Sequence, residues 1–174
     1  LALYDELSAE FAARAARQGP GTWRRRFGYA LRTSLAVLGP HREALRSALP
    51  ALLGECEDGE GIFAPATGFS RERVEGVFSE AVRGATDAPT DDLADALGRT
   101  LYVAHLTMIL FWLLDRTEGQ RATGEVVALA ERLLAPIALA LRFRRARAAL
   151  HRLDALVRAG LLGEVLTGTA HHVV

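Results

Sequence analysis

The side chains best suited to chemistry in this sequence lie on one predicted helix. At 100° per residue, Tyr102, His105, Ile109 and Trp112 fall within an arc of about 80°. A face that joins aromatic bulk to phenol, imidazole and indole polar groups is typical of a ligand-pocket wall. We therefore expect a small-molecule site here; the alternative is a core face whose polar tips are satisfied internally.

Aromatic side chains on other predicted helices could complete this cavity or merely fill a core. The candidates are Tyr4, Phe11, Trp23, Phe27 and Phe78. We assign Trp23, Phe27 and Phe78 to the ligand site with the four residues above. The expected ligand is a small apolar or aromatic molecule, because no buried cluster of charged residues is predicted to receive an ionic one.

The sequence predicts neither catalysis nor metal binding, and so no cofactor. No helix has the Glu-x-x-His pair of di-iron bundles, and no serine lies in a Gly-x-Ser-x-Gly motif. The single cysteine, Cys56, lies among carboxylates that disfavour its thiolate. His171 and His172 could bind a metal, but a frayed tail or an expression-tag remnant is the preferred interpretation. A helical-bundle enzyme is the weakest of the alternatives.

Charge is balanced, with 21 basic residues, all of them Arg, and 21 acidic residues. No global field therefore attracts nucleic acid, anionic lipid or a strongly charged substrate. Two local basic clusters remain, and for both a solvated or packed amphipathic face is favoured over contact with an anion or a phosphate backbone. They are Arg24 to Arg26 and the group of Arg142, Arg144, Arg145 and Arg147.

The elements that must position these residues are helices. Helical periodicity runs through the chain, Gly and Pro mark the turns, and no β-branched stretch alternates as a strand does. The expected fold is a single all-α domain, residues 1–174, in which about six to eight helices form an antiparallel bundle. We predict helices over about 3–17, 22–38, 42–53, 70–83, 91–116, 120–142 and 144–159, and an acidic loop over 54–69.

Three signals mark predicted helix starts and turns. Thr22 and Ser70 are predicted N-caps. The segment from Thr117 to Gln120 has the S/T-x-x-E/Q spacing of a capping box, which predicts a tight turn between two long helices. These helices should form a C-terminal hairpin, and Pro136 is expected to bend the second one.

The first long helix, 91–116, would be about 40 Å in length and apolar almost all round beyond Leu101. Its most apolar run, 101–114, contains His105 and is shorter than the roughly 18 to 20 residues needed to span a bilayer. We therefore expect a buried helix in a soluble, cytoplasmic protein that makes no membrane contact. The single cysteine is compatible with a reducing compartment.

The hairpin is predicted to pair with a second copy of itself. The first helix carries apolar side chains on an arc away from the pocket face, so two of its surfaces need cover. Two-fold pairing would give a four-helix-bundle homodimer with an interface above roughly 1,000 Å². The predicted interface residues are Val103, Leu106, Leu110, Leu114, Val126, Leu129, Leu133 and Ile137.

The segment from His105 to Thr123, HLTMILFWLLDRTEGQRAT, resembles the penultimate helix, the turn and the start of the final helix in tetracycline-repressor-type (TetR family) regulators. PHREALR, from Pro40 to Arg46, and the opening LALYDEL are similar to other segments of that family. The resemblance spans roughly residues 1 to 145. It implies a repressor that dimerises through its last two long helices and releases DNA when a small molecule enters its C-terminal domain.

No segment resembles the helix-turn-helix of that family, so no DNA-reading helix can be assigned. We expect this chain to be the effector-binding and dimerisation part alone, with DNA contacted only through an N-terminal domain that this sequence lacks. A stand-alone helical dimerisation or adaptor protein without a DNA-binding role is the alternative.

Overall fold

The computed structural model describes residues 2–53 and 68–162, and all regular structure in these ranges is helical. The all-α bundle is therefore confirmed. Cys56, residues 54–67 of the predicted loop, and His171 and His172 lie outside the described residues. The described ranges contain seven α-helices: α1 (Ala2–Ala15), α2 (Trp23–Leu38), α3 (Arg42–Leu53), α4 (Gly68–Arg83), α5 (Asp91–Leu114), α6 (Arg121–Ala140) and α7 (Arg144–Leu162).

The core is built around Phe78 of α4. This side chain is fully buried, and its ring lies 5.8 Å from that of Phe27 and 6.0 Å from that of Phe11, centroid to centroid. It also contacts Tyr102 and His105 of α5. Helices α1, α2, α4 and α5 thus share one aromatic centre, which fixes the side of α5 that faces inward.

Helices α4 and α5 approach most closely at Gly98. A Cβ atom at this position would lie only 2.9 Å from the Cα atom of Ser79. Carbon atoms that are not bonded to each other do not approach so closely. Only a glycine at position 98 therefore permits this packing. The two helices make the most extensive helix-to-helix packing among the described residues.

The N-cap at Thr22 is confirmed, since its hydroxyl accepts a hydrogen bond from the N–H of Arg25. The predicted cap at Ser70 is wrong. Helix α4 already begins at Gly68, and the buried Ser70 hydroxyl donates to the Asp5 carboxylate on α1 at 3.0 Å. The serine therefore ties two helices together instead of capping one.

The turn from α5 to α6 is held by Asp115 and not by a capping box. Its carboxylate accepts hydrogen bonds from both the backbone N–H and the hydroxyl of Thr117 and of Thr123. Gln120, the expected capping partner, is in the left-handed backbone region at φ 53°. The hydrogen bonds from the Thr123 and Thr117 hydroxyls hold the pKa of Asp115 far below its ordinary value.

Helices α6 and α7 attach to the bundle through ion pairs. Arg32 of α2 donates from its Nε and Nη2 atoms to the two carboxylate oxygens of Glu131 on α6, at 2.8 and 2.7 Å. Arg99 of α5 binds the buried Asp154 of α7 in the same two-point manner, at 2.6 and 2.9 Å. Two-point pairing fixes orientation as well as distance.

Helix α6 also leaves an apolar arc uncovered. Val127 and Leu134 are buried against the bundle, whereas Leu129, Leu133 and Ile137 are 54%, 51% and 45% exposed. At 100° per residue, these three exposed side chains span about 80° of the helix. They form a continuous apolar surface, which we call the α6 arc.

Helix α5 is long and apolar enough, by length and composition alone, to cross a bilayer. The core helix of a bundle meets the same criterion, and α5 packs here against α4 and α7. It also carries the buried His105 and the ion-paired Arg99. The cytoplasmic location stays a prediction.

Candidate functional site

A cavity of about 270 Å³ lies between α1, α2, α3 and α5. Its walls are almost entirely apolar, and none of the described side chains that line it is an arginine, aspartate or glutamate. The wall residues are Tyr4, Leu7, Ser8, Phe11, Ser34, Leu38, Leu45, Leu49, Val74, Val103, His105, Leu106, Thr107, Ile109, Leu110, Leu113 and Leu161.

Helical periodicity explains how the sequence builds these walls. Leu7 and Phe11 are one turn apart on α1, and Leu45 and Leu49 are one turn apart on α3. Each pair therefore presents two apolar side chains to the same space. Helix α5 supplies the opposite wall and the buried imidazole of His105.

His105 is the most unusual group in the cavity wall. Only 4% of it is exposed, and its Nε2 atom lies 2.8 Å from the Ser34 Oγ atom of α2. The ring stacks in parallel on Phe11, with centroids 6.0 Å apart, and lies 4.7 Å from Phe78. Burial lowers the pKa of His105 to about 3, so the imidazole is neutral at neutral pH.

Two buried polar atoms have no hydrogen-bond partner among the described residues: His105 Nδ1 and the Tyr102 hydroxyl. Leaving a buried polar atom unpaired costs about 1–3 kcal/mol, so native cores contain few of them. Burial also raises the pKa of Tyr102 well above its ordinary value, which keeps its phenol protonated. Both atoms lie beside the aromatic centre of the molecule.

The structure brings together some of the predicted ligand residues. His105 and Ile109 line the cavity. Tyr102 and Phe78 lie against the His105 ring, at 6.5 and 4.7 Å, but are not in the cavity wall. His105 thus belongs both to the cavity wall and to the aromatic centre, and the role of these four residues in ligand binding stays a prediction.

Three predicted ligand residues lie elsewhere. Phe27 is buried in the core against Phe78. Trp23 lines a separate cleft between the start of α2 and the end of α6, and Trp112 lies beneath the Arg42 guanidinium. Apolar periodicity identified their inward orientation but not the space that each one faces.

The predicted dimer residues fall into two groups, one that lines the cavity and one that faces outward. Val103, Leu106 and Leu110 line the cavity, so the expected separation of α5 into a pocket arc and an outward arc does not hold. These three side chains are half-buried, and their place in a dimer interface stays a prediction. On α6, Val126 is half-buried. The outward-facing members of the predicted set are Leu114, Leu129, Leu133 and Ile137.

Ser34 of α2 and the two leucines of α3, Leu45 and Leu49, are cavity residues that were not predicted from the sequence. A signal for Ser34 was present, since it is a lone hydroxyl on the apolar stripe of α2. A polar group on such a stripe needs a buried partner, and His105 supplies it. Leu45 and Leu49 carried no comparable signal.

Arg42 attaches α3 to the end of α5. Its guanidinium donates to the carbonyl oxygens of Trp112, Leu113 and Asp115, at 3.0, 3.3 and 2.6 Å. It also stacks over the Trp112 ring, 5.6 Å from the centroid. These carbonyl groups lie at the C-terminal end of α5, where few intrahelical donors remain. A cation at this position interacts favourably with the helix dipole. One wall of the cavity is thereby held to α5.

The basic cluster at the start of α2 is partly structural. The Arg26 guanidinium donates to the carbonyl oxygens of Glu80 and Ala81 on α4. Arg24 lines the separate cleft, where the Asp87 carboxylate already accepts the N–H of Trp23 at 2.8 Å. An acidic group thus occupies this helix start.

No group of three or more histidine, cysteine or acidic side chains that could hold a metal occurs within residues 2–53 and 68–162. No family model matches this chain, and no curated protein matches it. The resemblance to TetR-type regulators therefore stays a prediction that rests on the sequence segments given above.

Proposed function

We propose that this chain is the small-molecule-binding and dimerisation part of a ligand-responsive transcriptional regulator, a repressor of the TetR type. The observation that carries the ligand-binding half is the apolar cavity beside His105. The dimerisation half is supported by the α6 arc. The DNA-binding half rests on the sequence resemblance alone and requires a domain outside this sequence.

The cavity favours a binding site over a plain core for an energetic reason. Protein interiors are close-packed, whereas this recess of about 270 Å³ is partly open to solvent and leaves apolar side chains in contact with water. A bound apolar molecule would fill the recess and remove that apolar surface from water.

The α6 arc supports a second copy of the chain as partner. Contiguous apolar patches on soluble monomers are usually small, and larger ones mark interaction sites. A two-fold axis beside α6 would bring Leu129, Leu133 and Ile137 against their own copies, which is the commonest way for a chain to cover such a surface. In a cytoplasmic repressor, ligand entry would then shift the dimer between two arrangements of its DNA-binding domains.

A stand-alone helical dimerisation or adaptor protein is the second candidate. The α6 arc alone favours it, because dimerisation needs no ligand. The two candidates differ in whether the cavity is used and in whether a helix-turn-helix is encoded before Leu1.

Thermal unfolding with a panel of uncharged aromatic and aliphatic compounds tests the ligand-binding proposal. At 100 times its Kd, a ligand adds about 2.7 kcal/mol of stability, which raises the Tm of a chain of this size by roughly 5–10 °C. The matched control is Leu106→Trp, which should occupy the cavity and abolish the increase. A panel without any effect on the unmodified chain would contradict the proposal.

Sequencing the reading frame upstream of Leu1 tests the regulator proposal. We expect it to encode a helix-turn-helix joined to α1. A frame that starts close to Leu1 would instead favour the adaptor candidate. Residues 1–174 alone should show no salt-resistant, sequence-selective binding to duplex DNA, because a groove-reading helix has not been assigned in them.

A further inference from the structure

We infer that the cleft between the start of α2 and the end of α6, here called the α2–α6 cleft, binds a small amphiphilic anion such as a medium-chain carboxylate. Arg24 and Arg142 would pair with its charged group, and apolar side chains between them would cover its hydrocarbon part. The cleft shares no described lining residue with the apolar cavity beside His105. The inference therefore goes beyond the proposed function.

The α2–α6 cleft has the size of a small-molecule site. Its volume is about 380 Å³, within the range of roughly 300–1,000 Å³ that is usual for ligand pockets. Four parts of the chain border it: the start of α2, the connection between α4 and α5, the first two turns of α5, and the end of α6 with the two residues that follow. A ligand here would join elements that are distant in sequence.

The fold brings the two basic clusters of the sequence to this one cleft. Arg24 belongs to the cluster at the start of α2, and Arg142 belongs to the cluster that follows α6. Each cluster alone favoured a solvated face. Together they offer a ligand two guanidinium groups, whose planar N–H donors match the geometry of a carboxylate.

Both arginines are available to a ligand. Neither guanidinium has a hydrogen bond or an ion pair with another described residue. By contrast, Arg26, Arg42 and Arg99, which are half-buried like Arg24, each donate to a carbonyl or carboxylate oxygen. Arg24 is only half-buried and Arg142 is exposed, so an anion can reach both. A partly desolvated cation without a partner gains from such an anion.

Asp87 determines how much negative charge the cleft accepts. It is the one carboxylate among the described lining residues, and it forms no ion pair with Arg24 or Arg142. Its Oδ1 atom accepts the N–H of Trp23 at 2.8 Å, so the start of α2 is already occupied and is not itself the anion site. Two guanidinium groups and one carboxylate leave one net positive charge, which suits a monoanion better than a phosphate dianion.

The remaining reachable surface of the cleft is apolar. Leu139 is 57% exposed, and Pro89 and Leu141 are half-buried. The two α5 leucines that border the cleft are almost fully buried and add little surface. Covering Leu139 and its neighbours would remove apolar area from water, which a bare anion cannot do. The cleft therefore favours an anion with a hydrocarbon part.

Three probes test the inference on residues 1–174 at neutral pH and low ionic strength, where exposed charges are screened least. They are octanoate, octanamide and inorganic phosphate. Calorimetry should show octanoate binding about tenfold more tightly than octanamide, which has the same carbon chain without the charge. Phosphate should bind more weakly than octanoate. The ¹⁵N shifts of the Arg24 and Arg142 Nε–H groups should change when octanoate binds.

Substitutions then assign the preference to the two arginines. In Arg24→Gln/Arg142→Gln, octanoate and octanamide should bind equally. The matched control, Arg25→Gln/Arg144→Gln, removes the same charge from the same two clusters at positions that do not line the cleft. It should keep the tenfold preference. Leu106→Trp, which fills the apolar cavity, should keep it as well.

The outcomes distinguish this site from the apolar cavity. Octanoate that does not bind, or binds no better than octanamide or phosphate, would overturn the inference. So would a preference that survives Arg24→Gln/Arg142→Gln, or one that the control pair also loses. Loss of the preference in Leu106→Trp would assign octanoate to the cavity instead and would equally refute the α2–α6 site. Unchanged arginine shifts in the octanoate-saturated parent chain would refute it even if a variant did not fold. Binding of uncharged ligands in the cavity is tested separately.

Discussion

The α4–α5 pair and α6 place their apolar side chains in opposite environments. Phe78 and Val82 of α4 are fully buried, and Leu97, Leu101 and Tyr102 of α5 are buried within the bundle. On α6, Leu129 and Leu133 are more than half exposed. The apolar content of α5 and of α6 is high. Composition therefore does not distinguish a helix that the chain covers from one that it leaves exposed; the number of neighbouring helices does.

This difference predicts a division between the helices that stabilise the fold and the helix that mediates association. The buried pair should account for most of the folding stability of one chain, while α6 should contribute more to association than to folding. Four substitutions test that division, and they are given in decreasing order of their expected effect on the free energy of unfolding.

Phe78→Ala should have the largest effect. It deletes the ring on which α1, α2, α4 and α5 converge, and such a deletion costs about 3–5 kcal/mol. Phe143→Ala, at a side chain that is 65% exposed, should change stability by less than about 0.5 kcal/mol. Urea unfolding monitored by circular dichroism measures both. Similar losses in the two variants would remove the basis of the comparison.

Arg42→Ala should cost less, about 1.5–3 kcal/mol, because hydrogen bonds from a charged donor to the end of α5 are lost. Arg42→Lys should recover only part of the loss, since one ammonium group cannot reach three carbonyl oxygens and stack on Trp112. Chemical denaturation of the three proteins gives the values. Full recovery with lysine would show that charge alone holds α3 in place.

Asp115→Asn should cause a smaller loss that depends on pH. The folded-state pKa of Asp115 is held below its unfolded value of about 3.9, so its stabilising effect is complete above that pH and is lost as pH falls through and below it. The variant should therefore be less stable than the parent at pH 7, and the gap should narrow below about pH 4. Thermal unfolding between pH 7 and pH 2 measures it. A gap that does not change with pH would contradict the role of the carboxylate.

Leu133→Ser should have the smallest effect on folding, within about 0.5 kcal/mol, because its side chain is already half exposed. On the proposed function it should nevertheless convert a dimer into a monomer. Light scattering at micromolar concentration is the measurement, and Arg132→Ser, outside the α6 arc, is the control. An unmodified chain that is monomeric under these conditions would refute the dimer.

The sequence predicted the helices well where glycine and proline interrupt the pattern. The predicted bounds of α3 agree with the structure, and those of α2 differ by one residue, because Gly39 and Pro40 separate these helices. The caps at Ser70 and Thr117 failed for different reasons. The Ser70 hydroxyl binds Asp5, 65 residues away, whereas the Thr117 hydroxyl donates to the neighbouring Asp115 carboxylate and accepts the N–H of Ala122.

The candidate site was predicted in part. Periodicity along α5 identified His105 and Ile109, because the inward face of a helix can be derived from its own sequence. It could not predict which helix lies opposite that face. Leu106 and Leu110 were therefore predicted for a dimer interface alone, whereas in the structure they also line the cavity with Leu45 and Leu49 of α3. Only the three-dimensional arrangement of the helices shows which helix lies opposite the inward face of α5.

The close contact at Gly98 restricts how the molecule can rearrange. If α4 slid along α5 by one helical turn, Ser79 would meet Leu101 or Tyr102 where only a glycine hydrogen now fits. The α4–α5 pair is therefore a fixed frame. A molecule larger than the cavity would have to displace α1, α2 or α3. An outward tilt of α3 would pull, through Arg42, on the last carbonyl groups of α5, next to the turn that leads into α6.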